Sequence, residues 1–118
     1  MAQSINRSFG AAFKGLRHGI SKHRNAKIMI IISAAAIFLG FHYHLVRFEW
    51  AVLCICIGLV LGLELINTAI ETLLDHLHPE QHKAVGMAKD IAAGAVLWAS
   101  IFAALAGIFI FWPHVMYN

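Results

Sequence analysis

The chain has 118 residues, 60% of them hydrophobic and only 13% charged, with a formal net charge of +3. A soluble domain carries about a quarter charged residues, so these charges are too few to cover a soluble surface, and the same apolar excess excludes disorder. With 9 Gly and 2 Pro the chain is neither collagen-like nor Pro-rich, and its length allows one domain. The expected class is a small all-α membrane protein, residues 1–118 forming a single membrane-embedded unit.

Residues 4–23 read as an amphipathic helix. Ile5, Phe9, Ala12, Phe13, Leu16 and Ile20 recur at spacings of three and four, and Arg7, Lys14, Arg17 and Lys22 mostly lie elsewhere. A basic helix of this kind lies in the headgroup region; the alternative is a solvated arm. No apolar run precedes residue 28, so a signal peptide is not expected.

Three apolar blocks follow: Ile28 to Phe41, Trp50 to Leu63, and Ile91 to Trp112. Only the third reaches the roughly 20 residues that cross a bilayer unaided. The other two extend without meeting a proline, which predicts spans over 27–44, 49–75 and 86–112. The second then runs to about 39 Å and carries polar groups to one interface. Pro79 and Pro113 are expected to end the second and third spans. Six of the nine basic residues precede the first span, and Lys83 and Lys89 lie between the second and third. The positive-inside rule then places the N-terminus and the 76–89 loop in the cytoplasm. Cys54 and Cys56 sit two apart within an apolar run. They point away from each other on a helix, cannot bridge, and read as small hydrophobes.

The second span carries the informative pattern, Gly62-Leu-Glu-Leu-Ile-Asn-Thr-Ala-Ile-Glu-Thr-Leu-Leu-Asp75. Measured from Glu64 at 100° per residue, Asn67 falls at about −60°, Thr68 at about +40°, Glu71 at about −20° and Asp75 at about +20°. Leu65, Ile66, Ile70 and Leu73 take the opposite face. Ionisable groups in a span are costly unless they face protein or a water-filled site, and they mark function by default; the structural alternative is that Glu64 and Glu71 hold an oligomer together. The third span begins at Lys89-Asp90 and continues with small residues at Ala92, Ala93, Ser100, Ala103, Ala104 and Gly107. Gly58 and Gly62 form a GxxxG on the second span, and such faces let helices approach closely.

Carboxylates, an amide, a Lys-Asp pair and a basic arm suit metal-assisted phosphoryl transfer, in which positioning and charge stabilisation do most of the work. No Walker A motif and no protein-kinase glycine loop is present. Residue types alone leave a kinase and an ion-coupled transporter both open.

Taken together, Glu64-Leu-Ile-Asn67-Thr68-Ala-Ile-Glu71-x3-Asp75, Pro79-Glu80-x-His82 and Ala88-Lys89-Asp90-x-Ala-Ala-Gly-Ala-Val closely resemble the small bacterial membrane lipid kinases, the diacylglycerol kinase and undecaprenol kinase family. Upstream, Ala12-Phe13-Lys14-Gly15-Leu16-Arg17 and Arg24-Asn25-Ala26-Lys27-Ile28 resemble its surface helix and the start of its first span. The resemblance implies a homotrimer of three-span subunits with shared active sites in the bacterial cytoplasmic membrane. The implied reaction is ATP-dependent phosphorylation of a lipid alcohol, undecaprenol or diacylglycerol. It implies Glu64 as general base on the lipid hydroxyl, Asn67 as a supporting catalytic residue, and Glu71 as ligand of the magnesium carried by ATP. Glu71, Glu80, His82, Lys89 and Asp90 would meet the nucleotide, and Glu64 and Arg17 the lipid. The Asn-Thr-Ala-Ile-Glu form is closer to the undecaprenol kinase branch.

Two positions depart from the family pattern. His23 stands where a second metal-binding Glu is usual, and Met29 where His or Glu is usual. Imidazole suits magnesium less well than carboxylate, so altered use of magnesium, manganese or another divalent metal, weak activity, or an inactive pseudokinase on the same fold all follow as readings. An ion-coupled channel is the less favoured alternative. His76, His78 and His82 are expected to be loop histidines rather than a zinc site, because Pro79 breaks their register. Trp50 and Trp112 fit an interfacial belt, Trp98 is expected to face lipid or to pack, and His42, Tyr43, His44 and His114 belong to the outer interface. The basic N-terminal run points to anionic headgroups and ATP rather than nucleic acid.

Overall fold

A computed structural model describes residues 2–80 and 82–117. It contains four helices: α1 (Ala2–Lys22), α2 (Arg24–His42), α3 (Arg47–Leu77) and α4 (Lys83–Tyr117). The last three are long and apolar enough to cross a membrane. The helices form a slab of 54 × 43 × 21 Å, and no large side chain is fully enclosed among the described residues. Large apolar side chains such as Ile31, Phe38, Ile55, Trp98 and Phe109 point outward. That surface fits a lipid surround or a further protein face better than water.

The path of the chain follows from its breaks. Only His23, in extended backbone, separates α1 from α2. Gly19 of α1 is buried, and a Cβ there would stand 2.6 Å from Leu65 Cδ2, so α1 is docked on α3 beside Glu64. At the opposite end, α2 stops in a left-handed cap at His44 (φ 55°). The Leu45 N–H donates to the Gly40 carbonyl at 3.1 Å and the His44 N–H to that of Phe41 at 3.3 Å. Both are bonds of a Schellman cap, made here with histidine at the position that usually takes glycine. The tight return brings Trp50 onto Gly40, where a Cβ would lie 2.6 Å from the indole ring. Trp50 is therefore partly buried in the α2–α3 hairpin rather than set simply in an interfacial belt.

α3 and α4 form the most extensive pair and run antiparallel. An ion pair joins Lys89 to Asp75 at one end. At the other, His114 Nε2 lies 3.0 and 3.1 Å from the two carboxylate oxygens of Glu49, and Glu49 Oε1 also accepts the Val46 N–H at 3.0 Å. α3 ends at Leu77, before Pro79, as expected. α4 corrects the expectation for Pro113: the helix continues through it to Tyr117. Proline loses its N–H bond and its ring crowds the carbonyl four residues before, but its φ is already helical, and here the helix carries on past it. One further turn places His114 on Glu49. Tyr43 stacks on both His114 and Phe111, its ring centroid 6.0 and 6.4 Å from theirs.

The GxxxG of α3 makes no close helix contact within the chain. A Cβ at Gly58 or Gly62 would meet nothing within 4 Å, so neither glycine serves a helix contact inside this chain. The two glycine environments predict opposite outcomes. Gly40→Val forces a shift against Trp50 and Leu45 and lowers stability by about 1–3 kcal/mol. Gly58→Ala meets no neighbour within the chain, so a lone subunit gains up to about 1 kcal/mol from helix propensity, and a net loss of stability reports a contact between copies at this face. Glu49→Ala removes the carboxylate that serves Val46 and His114 and costs about 1–3 kcal/mol. Unfolding of each variant in detergent micelles, followed by circular dichroism, measures all three.

Candidate active site

The polar stripe of α3 faces into the protein. Glu64, Asn67 and Thr68 are buried, with 4%, 7% and 7% of their surface exposed, whereas Ile66 and Leu73 on the far face are exposed. Such an inversion is what a span adopts when its polar groups cannot face hydrocarbon. The Glu64 carboxylate lies within electrostatic reach of Glu71 and His23, with Thr68 one turn along the same face. The Asn67 side-chain oxygen is buried and has no hydrogen-bond partner among the described residues. A buried polar atom of this kind costs about 1–3 kcal/mol unless something satisfies it. Other polar groups in the spans are satisfied locally: Thr72 donates to the Thr68 carbonyl at 2.8 Å and Ser33 to that of Met29 at 2.7 Å. The Asn67 oxygen stands apart from these.

Glu71 is partly buried two turns from Glu64, about 10 Å along the axis. Beyond it, the turn between α3 and α4 encloses a polar pocket of about 480 Å³, lined by Asp75, His78, Glu80, His82, Lys83 and Lys89 among others. The nucleotide residues named from the sequence thus divide. Glu80, His82 and Lys89 share this pocket. Asp90 is exposed at the start of α4, and Glu71 lies between the pocket and Glu64. His82 Nδ1 accepts the Ala84 N–H at 3.2 Å, which caps α4 and orients the ring. Lys89 is held by Asp75 on the neighbouring helix rather than by Asp90 beside it in sequence. Arg17 is exposed on α1, two positions before the docking glycine, and makes no hydrogen bond or ion pair among the described residues.

One turn from Glu64, starting at Val60 on the same face of α3, an apolar groove of about 610 Å³ runs between α2, α3 and α4. Leu53, Ile57 and Val60, on the α3 face that carries Glu64, form its floor. Asn25 and Met29 of α2 line it, with Ser100, Ala103 and Gly107 of α4. The α4 small-residue stripe is therefore one wall of an open groove, and Met29 is part of an apolar lining.

The donors near Glu64 suit a magnesium ion in part. The carboxylate of Glu71 offers the hard oxygen that magnesium takes alongside substrate phosphates, whereas the His23 imidazole is the poorer donor. Among the described residues no three His, Cys, Asp or Glu side chains gather into a ready metal cluster. Of the three histidines expected in the loop, His76 lies instead within the last turn of α3, whereas His78 and His82 follow the helix, their ring centroids 6.3 Å apart.

Thr68, placed on the polar face of α3 from the sequence but given no role of its own there, joins Glu64 in the buried set. Glu49–His114 pairs two polar residues 65 apart in the chain; only their shared placement at the outer ends of two spans hinted at it.

Comparison with known proteins agrees with this geometry. A family model described as prokaryotic diacylglycerol kinase matches residues 10–111. The chain is 34% identical over 109 residues to an undecaprenol kinase of Bacillus subtilis, covering 92% of this chain and 89% of that protein. It is 36% identical over 108 residues to a diacylglycerol kinase of Synechocystis, covering 91% of this chain and 62% of that longer protein. A diacylglycerol kinase of Escherichia coli is 39% identical over 56 residues, 48% of this chain and 46% of that protein. With a family match that takes in the α3 stripe, the polar turn and the groove together, the chain belongs to the prokaryotic diacylglycerol kinase family of lipid kinases.

Proposed function

We propose that the protein transfers the γ-phosphoryl group of ATP to the hydroxyl of a membrane lipid alcohol, undecaprenol or diacylglycerol, at the cytoplasmic face of the bacterial cytoplasmic membrane. The observation that carries this reading is the buried Glu64–Asn67–Thr68 face of α3, placed between an apolar groove and a polar pocket. A lipid alcohol meets Glu64 from the groove side, and a nucleotide meets Glu71 from the pocket side.

The Glu64 carboxylate accepts the hydroxyl proton as the lipid oxygen bonds to the γ-phosphorus. The bond from that phosphorus to the bridging oxygen breaks, and ADP departs. Asn67 and Thr68 support the carboxylate. Lys89, oriented by Asp75, and Lys83 supply positive charge to the phosphates, and Glu80, His82 and Asp90 complete the nucleotide contacts. Glu71 would hold the magnesium that travels with ATP, whose role is to offset phosphate charge. The basic residues of α1 favour anionic headgroups, and Ile5, Phe9, Phe13 and Leu16 are exposed beside them. That combination supports α1 lying along the cytoplasmic surface, with Arg17 near the lipid headgroup. Open faces at Gly58 and Gly62 and the broad apolar surface support assembly into a homotrimer with shared sites.

Transfer from radiolabelled ATP to undecaprenol and to diacylglycerol in mixed micelles, with Mg²⁺ and with Mn²⁺, tests the reading. Glu64→Gln is expected to lower kcat by about 10²–10⁴-fold, the usual contribution of a general base, with an unchanged melting profile. No transfer by the wild-type protein under any of these conditions leaves a non-catalytic member of the fold, the reading that His23 and Met29 would then explain. His23→Glu is expected to lower the magnesium concentration that gives half-maximal rate. Lys89→Ala removes an exposed ion pair worth at most about 1 kcal/mol. A much larger loss of rate than of stability, read as a rise in KM for ATP, assigns Lys89 to the nucleotide.

A further inference from the structure

We infer that the groove between α2, α3 and α4 receives one hydrocarbon tail of the lipid acceptor, and that Phe111 forms the stop that sets how much of the tail it holds. The inference rests on the lipid-kinase reading above and adds a determinant of acceptor specificity to it.

The occupant follows from continuity with the site. Leu53, Ile57 and Val60 belong to the same face of α3 as Glu64, so the groove floor points along that face and ends one turn from the carboxylate. Its polar residues gather at that mouth. The pairing of Asp75 with Lys89 and the packing of Trp50 on Gly40 bring Asn25, Glu64 and Ser100 to about the same height. Away from the mouth the lining is apolar, and the Ser33 hydroxyl is turned to the Met29 carbonyl. A pocket with apolar walls and a few convergent polar groups at one end fits a ligand with one polar end and a long apolar remainder.

The far end is built rather than frayed. Phe111 lines it and packs on the buried cluster of Leu45, Leu53 and Ile110. Tyr43 stacks on Phe111 and on His114, which Glu49 holds. From Glu64 to Leu53 the floor measures about 16 Å, close to one leaflet of a hydrocarbon core about 30 Å thick. Midway, Gly107 keeps the wall low, and a Cβ there would meet nothing within 4 Å. The first atom of a side chain at 107 would thus enter groove space without meeting the protein.

The test is a series of prenols of increasing length, assayed by phosphoryl transfer in mixed micelles. In the wild-type protein kcat/KM is expected to rise with tail length and level off when the groove is full. Gly107→Leu is expected to bring that plateau to a shorter tail and to lower kcat/KM for long prenols about tenfold, the equivalent of roughly two lost methylene contacts, with a smaller loss on short prenols. Phe111→Ala should move the plateau to longer tails. Rates independent of tail length, or equal losses on short and long prenols in Gly107→Leu, overturn the inference. So does loss of the oligomer on size-exclusion chromatography in Gly107→Leu, which would mean that the groove holds a second copy of the chain. A photoreactive long-chain alcohol supplies a readout independent of turnover. Labelling of groove residues without phosphoryl transfer upholds the tail site while rejecting the kinase reading, and labelling scattered over outward residues such as Trp98 and Phe109 overturns the tail site.

Discussion

The antiparallel register of α3 against α4 is the constraint on which the other features depend. It is pinned at two points, Asp75 to Lys89 and Glu49 to His114, which lie almost the same number of residues apart on each helix. Between them there is little to fix a register by itself. The facing residues are small or aliphatic, and apolar contacts between helices in lipid distinguish one height from another weakly. Two polar pairs near the ends remove that freedom. The individual energies need not be large. An exposed pair such as Asp75–Lys89 contributes at most about 1 kcal/mol, but a one-turn slip would break both pairs at once and leave the partly buried Glu49 and His114 unpaired.

From the register comes the polarity of the site. With the helices at this height, Ser100 stands beside Glu64, Gly107 beside Ile57 and Phe111 beside Leu53, so one face of α3 is apolar toward one end and ionisable toward the other. The helix exposes Ile66 and Leu73 while it buries Glu64, Asn67 and Thr68. In water this arrangement would be inverted and unstable. In a bilayer it removes the costly groups from hydrocarbon, and the unsatisfied Asn67 oxygen marks where the burial is incomplete within one chain. A site whose own residues do not satisfy one another is suited to a ligand or a neighbouring subunit that does.

Much of this was legible in the sequence because it depends on periodicity. Length and hydropathy define the three spans, and the helical angle alone brings Glu64, Asn67, Thr68, Glu71 and Asp75 to one face. The N-terminal helix was legible as a helix, although its docking on α3 through Gly19 and Leu65 was not. What escaped depends on pairing between distant residues or on local backbone geometry. Glu49 and His114 are each unremarkable in their own segments and become a pair only once the register is known. Pro113 looked like a stop, because a proline in isolation breaks helices, yet one missing N–H near an end leaves the last turn intact. Gly58 and Gly62 looked like a close helix contact, because the motif carries no information about which chain supplies the partner. His82 drew attention as a nucleotide ligand, while its Nδ1 serves the first turn of α4.

The departure at His23 takes on a different aspect in this geometry. The residue sits in the single extended step between α1 and α2, beside Glu64 and four positions after the glycine that docks α1. A carboxylate there would place a third negative charge near Glu64 and Glu71 and would depend on a divalent cation to offset the repulsion. An imidazole adds no negative charge, so this end of the site holds together with less help from metal. On the proposed lipid-kinase reading, the substitution therefore shifts charge balance as well as withholding a metal donor: Glu71 is the carboxylate left to hold a metal ion, and Glu64 has one anionic residue within reach rather than two.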